Sequence, residues 1–167
     1  MTVKNIPQSV EPATAPPARE PAAPQRILVV EDDVGVRRVN REILTYSGYQ
    51  VDAAEDGAAA WDALQQNNYD LVVTDNDMPK VTGVELIRKL RDASMGLPVI
   101  MATGAPPEEL FTRCGMLPPA KILIKPYTLN ELLTAVKEVL HAAGDSLAKI
   151  QSSTARPLPP PAEPLRW

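Results

Sequence analysis

The chain has 167 residues, a formal net charge of −4 and a single cysteine. Its 18 prolines are unevenly placed, with six in residues 1–25 and five in residues 141–167, and such segments are typical of disordered flanks. One cysteine cannot form an internal disulfide, no apolar run is long enough for a membrane helix, and no secretory leader is recognisable. These features exclude two full domains and a disulfide scaffold, and we expect one soluble, cytoplasmic domain between two tails.

The charge of the middle segment narrows the classes of partner. Residues 26–140 contain 12 Lys and Arg against 17 Asp and Glu, a net charge of −5. A domain that binds phosphate backbones usually carries a positive charge, so nucleic-acid binding by this core is disfavoured.

Strand-like apolar runs alternate with segments of helical periodicity through the middle of the chain. The runs lie at residues 27–30, 50–53, 71–74, 99–102 and 122–124, of which the second is the weakest. A helix follows each run. The first places Val36, Val39, Ile43 and Leu44 on one face and ends at Gly48, a residue typical of a helix C-terminus.

The other helices show equally local signals. The second is alanine-rich around Trp61, and the third carries Val84, Ile87 and Leu90 on one stripe. The fourth starts at Pro106-Pro107, and the last opens on the capping box formed by Thr128 and Glu131 and ends near His141. Apolar strands joined by helices predict a doubly wound α/β domain, a five-stranded parallel sheet with five helices on both faces.

Acidic and polar side chains follow the strands of this predicted sheet. Glu31 and Asp32 follow the first strand, Asp75 the third, Thr103 the fourth and Lys125 the fifth. Because carboxyl ends of neighbouring parallel strands share one edge, the three carboxylates should meet and require a cation. Their hard oxygens favour Mg²⁺, and the hydroxyl and the ammonium suit phosphate oxygens. An open alternative is a solvated acidic loop in which Asp33 only caps the first helix.

The ordered motifs ILVVEDD, DLVVTDNDMP, VIMATG and ILIKPY resemble the receiver domain of bacterial two-component response regulators over about residues 26–141. The resemblance implies a flavodoxin-like strand order, 2-1-3-4-5. It implies that Asp75 accepts a phosphoryl group, that Asp32 binds Mg²⁺ directly and that Glu31 acts through water. The backbone carbonyl of Asp77 would complete the metal shell, and the bond between Lys125 and Pro126 should be cis.

The same resemblance implies roles for the last two site residues and exposes two departures. Lys125 would pair with the phosphate, and Thr103 would move toward it. Receivers usually have an aromatic or histidine ring where this chain has Ile122, and the stretch GMLPPA (residues 115–120) replaces the usual approach to strand five. We therefore expect phosphorylation to move mainly residues 103–120 rather than a ring on strand five.

The leading interpretation is a stand-alone response regulator, comprising residues 26–141 between a disordered Pro/Ala-rich segment (1–25) and a Pro-rich tail (142–167). It would receive its phosphoryl group from a sensor histidine kinase or a phosphotransfer protein. It would act by contact with a downstream protein or by onward transfer, without a DNA-binding domain or a membrane anchor and not as an enzyme. Whether two copies form a homodimer stays open.

Three alternatives use the same residues. Asp75 and Asp77 imitate the nucleophile pair of haloacid-dehalogenase-type phosphatases, and with Glu31 they imitate the acid set of topoisomerase-primase-type nucleic-acid enzymes. The third alternative is a degenerate receiver that binds partners without phosphate.

Overall fold

The structure, a computed structural model, describes residues 23–104 and 118–154. Its strands are β1 (Arg26–Val30), β2 (Gln50–Ala54), β3 (Leu71–Asp75), β4 (Val99–Thr103) and β5 (Lys121–Ile124). Within these residues the helices are α1 (Val34–Tyr46), α2 (Gly57–Gln66), α3 (Gly83–Asp92) and α4 (Leu129–Thr154). No helix in the described ranges is both long and apolar enough to cross a membrane.

The five strands form one parallel sheet in the order β2-β1-β3-β4-β5, which confirms the predicted architecture and strand order. Val30 at the end of β1 pairs with Thr74 of β3, and Asp75 pairs with Ala102 of β4. On the outer side of β4, Thr103 pairs with Ile124. This register brings the carboxyl ends of β1, β3, β4 and β5 to one edge, where the predicted site residues lie.

The sheet separates two apolar cores. One core packs α1 and α4 against one face, and the other packs α2 and α3 against the opposite face. Strand residues alternate between the cores, as Ile27 and Val29 face the first and Leu28 and Val30 face the second. Burying each such side chain contributes roughly 1.5–3 kcal/mol, so the strands that carry the site are anchored from both sides.

Several helix boundaries indicated by the sequence agree with the structure. Asp33 caps α1 by accepting from the Val36 N–H at 2.8 Å, and Gly48 follows α1 with φ 94°. Thr128 and Glu131 form the predicted capping box of α4, in which the Glu131 carboxylate accepts from the Thr128 N–H at 2.7 Å.

The predicted inner face of α1 is wrong in part. Val36 and Val39 are 39% and 45% exposed, whereas Asn40 is buried beside Leu44. Burial of this amide is tolerated because its Nδ2 donates to the Tyr127 hydroxyl at 3.1 Å. Hydrophobic periodicity alone assigns part of the exposed side of α1 to the core. It cannot predict that Asn40 is buried, because the hydrogen-bond partner of Asn40 lies 87 residues away in the sequence.

The predicted end of the last helix near His141 is also wrong, because α4 continues to Thr154. The predicted domain boundary at residue 141 therefore falls within this helix. Several predictions concern residues outside the described ranges: the segment before residue 23, the helix after Pro106-Pro107 with the first half of the stretch GMLPPA, and the tail after Thr154.

Gly83 is the glycine that ties α3 to the site, and we predict that its replacement destabilises the domain. A Cβ at this position would meet the Asp75 carbonyl oxygen and would lie 2.9 Å from the Asn76 Cα. Gly83→Ala should lower the free energy of unfolding by about 1–3 kcal/mol in urea titrations, because backbone rather than a flexible side chain must move. Gly144→Ala is the control, since nothing lies within 4 Å of that Cβ in α4. It should be neutral or stabilising by about 0.5–1 kcal/mol, and equal losses in both variants would contradict the packing argument.

Candidate functional site

Three carboxylates meet at the carboxyl edge of the sheet. Glu31 directly follows β1, Asp32 is the next residue, and Asp75 is the last residue of β3. Each offers a carboxylate oxygen, and these oxygens all lie within 4.8 Å of one another. Glu31 and Asp75 are buried, while Asp32 is exposed. The cluster is thus closed on the protein side and open toward solvent at Asp32.

Lys125 supplies the opposing charge. Its Nζ lies 2.7 Å from Asp75 Oδ2 and 3.7 Å from Glu31 Oε2. The residue directly follows β5, its N–H donates to the Thr103 carbonyl at 2.9 Å, and its bond to Pro126 is cis, as the sequence resemblance implied. The side chain therefore reaches from the sheet margin across the end of β4 to the carboxylates.

The two oxygens of Asp75 have different partners. Asp75 Oδ2 forms the ion pair with Lys125, and Asp75 Oδ1 accepts a hydrogen bond from the Asp77 N–H at 3.2 Å. The Asp77 carboxylate lies outside the group of three and accepts from Asn76 Nδ2 at 3.1 Å. Asp75 is thus held between the Lys125 ammonium and the Asp77 N–H. These two donors could also bind the oxygens of a negatively charged group attached to the Asp75 carboxylate.

Burial and like charge shape the electrostatics of this edge. Burial, reinforced by the charge of Asp75, raises the pKa of Glu31 from 4.5 to about 7, although Lys125 opposes the shift. Burial lowers the pKa of Lys125, but the hydrogen bond to Asp75 and the charge of Glu31 outweigh it and leave this pKa raised. In the metal-free protein Glu31 therefore keeps its proton up to about pH 7, and a divalent cation would favour its release.

The donor set fits Mg²⁺. All three candidate ligands are carboxylate oxygens, and two are held in place by burial at the ends of adjacent strands. Mg²⁺ prefers such hard donors and usually keeps several waters, which the exposed side at Asp32 allows.

Thr103 and Ile122 lie on the neighbouring strands. Thr103 is fully buried at the end of β4, one residue beyond the partner of Asp75 in the strand register. Ile122 is half-buried in β5 and pairs with Met101. Thr103 therefore lies at the site edge, whereas Ile122 lies two residues before the end of β5 and places an aliphatic side chain at the usual ring position.

Sequence reasoning missed several residues that support the site from outside it. Arg37 donates from Nη1 to the carbonyls of Glu31 at 2.6 Å and Asp32 at 3.1 Å, so it fixes the loop that carries two acids. Lys80 pairs with Asp56 across two loops. The sequence shows a basic residue, Arg37, in the first turns of α1, close to the acidic residues that precede the helix. The pairing of Lys80 with Asp56 joins residues 24 positions apart, and no sequence pattern indicates it.

Comparison with known proteins decides the family. The sequence model of the response regulator receiver domain family matches residues 27–137 of the chain. The chain belongs to this family. Response regulator MprA of Mycobacterium sp. (strain KMS) is 38% identical over 119 residues, which cover 70% of this chain and 51% of that protein. The chain therefore spans about half the length of that relative.

Other relatives are matched over nearly their whole length. The response regulator receiver protein CpdR of Brucella abortus is 34% identical over 119 residues, which cover 71% of this chain and 99% of that protein. Among solved structures, the chemotaxis response regulator CheY4 of Vibrio cholerae has a TM-score of 0.64 at 27% identity, covering 70% and 98% of the two chains. The response regulator TrrA of Thermotoga maritima, solved in complex with Mg²⁺ and BeF, has a TM-score of 0.61 at 30% identity, covering 69% and 98%.

The raised pKa of Glu31 predicts a pH dependence of stability in metal-free receiver. Between about pH 4.5 and pH 7 the folded chain retains a proton on Glu31 that the unfolded chain has lost. The free energy of unfolding should therefore fall as the pH rises through this window, by on the order of 3 kcal/mol for this group. Urea unfolding at several pH values in EDTA measures the slope.

Glu31→Gln should remove most of that fall, because its side chain does not titrate. The lowered pKa values of Asp56, Glu85 and Glu131, each caused first by a hydrogen bond to its carboxylate, act in the opposite sense at lower pH and do not mask the effect. The same slope in wild type and variant would show that Glu31 is not the responsible group.

Proposed function

We propose that this receiver is a phosphoryl-accepting switch of a two-component pathway, with Asp75 as the acceptor. The observation that carries the proposal is the placement of the Asp75 carboxylate between Lys125 Nζ and the Asp77 N–H, beside the two further acids. The Mg²⁺ and BeF complex of the Thermotoga maritima relative supports the same chemistry here. The donor would be a phosphohistidine of a sensor kinase or of a phosphotransfer protein.

In this proposal an Asp75 carboxylate oxygen attacks phosphorus, and its new P–O bond replaces the P–N bond of the donor. The electron pair of the P–N bond stays on the ring nitrogen, and the histidine leaves as neutral imidazole because its other ring nitrogen already carries a proton. Mg²⁺ would be held by Glu31, Asp32 and Asp75, with the backbone carbonyl of Asp77, and when bound it would neutralise charge on the phosphoryl oxygens. Lys125 would stabilise one of those oxygens and the Asp77 N–H another. The Thr103 hydroxyl would bind the third and so couple phosphorylation to β4.

The output would be protein contact rather than catalysis on an external substrate. The near-complete match to the Brucella abortus protein supports a form in which the receiver acts as a single domain, phosphorylating and dephosphorylating only itself. A downstream protein or a second copy of the chain would then read the phosphorylated surface. The receiver family and the position of Asp75 on the third strand weigh against the two enzyme alternatives.

Phosphorylation by a small-molecule donor tests the assignment. Incubation with acetyl phosphate and Mg²⁺ should add one phosphate to the wild type by intact mass, and EDTA should prevent the gain because the oxyanion charge is then uncompensated. Asp75→Asn should abolish it. Asp77→Asn is the matched control, since it preserves the backbone N–H and carbonyl, and it should still be modified. A phosphate gained by the Asp75 variant would refute the acceptor, and an unmodified wild type would favour the degenerate receiver.

A further inference from the structure

An ion pair joins two loops next to the acceptor. Lys80, in the loop between β3 and α3, places its Nζ 2.5 Å from Asp56 Oδ2. Asp56 is buried and also caps α2, since its Oδ1 accepts from the N–H groups of Ala58 at 3.0 Å and Ala59 at 2.8 Å. The N-terminus of α2 therefore fixes the Asp56 carboxylate independently of Lys80. This carboxylate provides a rigid binding partner for the loop between β3 and α3.

The backbone at Lys80 is unusual. Its φ is 65°, in the left-handed region where a side chain is disfavoured and glycine carries no penalty. The lysine side chain is 66% exposed, so solvent screens part of its attraction to the buried Asp56 carboxylate. Local conformational preference therefore does not account for a lysine here, whereas its pairing with the buried Asp56 carboxylate does.

The two loops are also packed together beside the ion pair. A Cβ added to Gly57 would lie 2.6 Å from the Val81 carbonyl oxygen and 2.7 Å from its Cγ1. On the other side of Lys80, Met78 is buried in the core. The ion pair thus fixes the segment between Met78 and Val81, and Asp77 lies immediately before this segment.

We infer that the Lys80–Asp56 pair is a positioning device for the Asp77 backbone, and through it for the Mg²⁺ site. The inference rests on the proposed function, in which the Asp77 carbonyl completes the metal shell and the Asp77 N–H faces Asp75. Groups that hold a ligand in place typically change metal affinity when they are lost, even if they do not touch the metal. Neither residue contacts the reacting atoms, so both are positioning residues.

Magnesium binding is the measurement, with MgCl₂ titrated into metal-free protein by calorimetry. Lys80→Met keeps the side-chain length without its charge, and Asp56→Asn keeps a good helix cap without its charge. Each should weaken Mg²⁺ binding roughly tenfold when measured well below the thermal midpoint of that variant. Lys80→Arg should restore most of the affinity. The Asp77 amide resonance should shift in both charge-removing variants, since its geometry depends on the pair.

The matched control is Lys121→Met, which removes another exposed pair, Lys121 with Glu138 at 2.8 Å. It should bind Mg²⁺ as the wild type does. The double variant of Lys80 and Asp56 should be no weaker than either single variant, because both remove one interaction. Wild-type affinity in Lys80→Met, or additive losses in the double variant, would overturn the inference alone. Absence of Mg²⁺ binding by the wild type would instead overturn the proposed function.

Discussion

Mutual repulsion of carboxylates at one edge of the sheet is the constraint on which the rest of the structure depends. Unit charges about 4 Å apart repel by roughly 4 kcal/mol at an effective dielectric of 20, and burial of Glu31 and Asp75 adds a desolvation cost. The protein meets this cost with Lys125 at 2.7 Å from Asp75 and with a raised pKa at Glu31. A divalent cation at this edge would relieve the remaining imbalance of negative charge.

Holding such groups together requires a rigid support, which the doubly covered sheet provides. The strands that end at the site are anchored by apolar side chains on both faces of the sheet. The carboxyl ends of these strands therefore cannot move apart to relieve the repulsion between the carboxylates. Polar contacts then fix the loops beyond the strands. Arg37 donates to the backbone carbonyl of Glu31. Lys80, three residues after Asp77 in the same loop, pairs with Asp56. In the proposed function, these contacts hold the backbone around the acceptor without touching the phosphoryl group.

Local signals predicted most of the fold correctly. Strand-like runs identified all five strands to within one residue at each end, and capping residues such as Asp33 and Thr128 marked helix starts. Prediction was weaker where burial depended on a distant partner. Asn40 occupies an inner position of α1 that the pattern assigned to Val36 and Val39, and α4 continues beyond the apolar stripe that suggested an end near His141.

For the site, the chain alone determined which residue types follow each strand, because strand order and parallel direction bring those positions to one edge whatever the side-chain details. The convergence of Glu31, Asp32 and Asp75 was predictable for that reason. Only the tertiary structure decided which oxygen of Asp75 meets Lys125, how strongly burial perturbs Glu31, and that Lys80 is paired with Asp56. Those properties depend on distances between loops that are remote in sequence, and no local pattern encodes such distances.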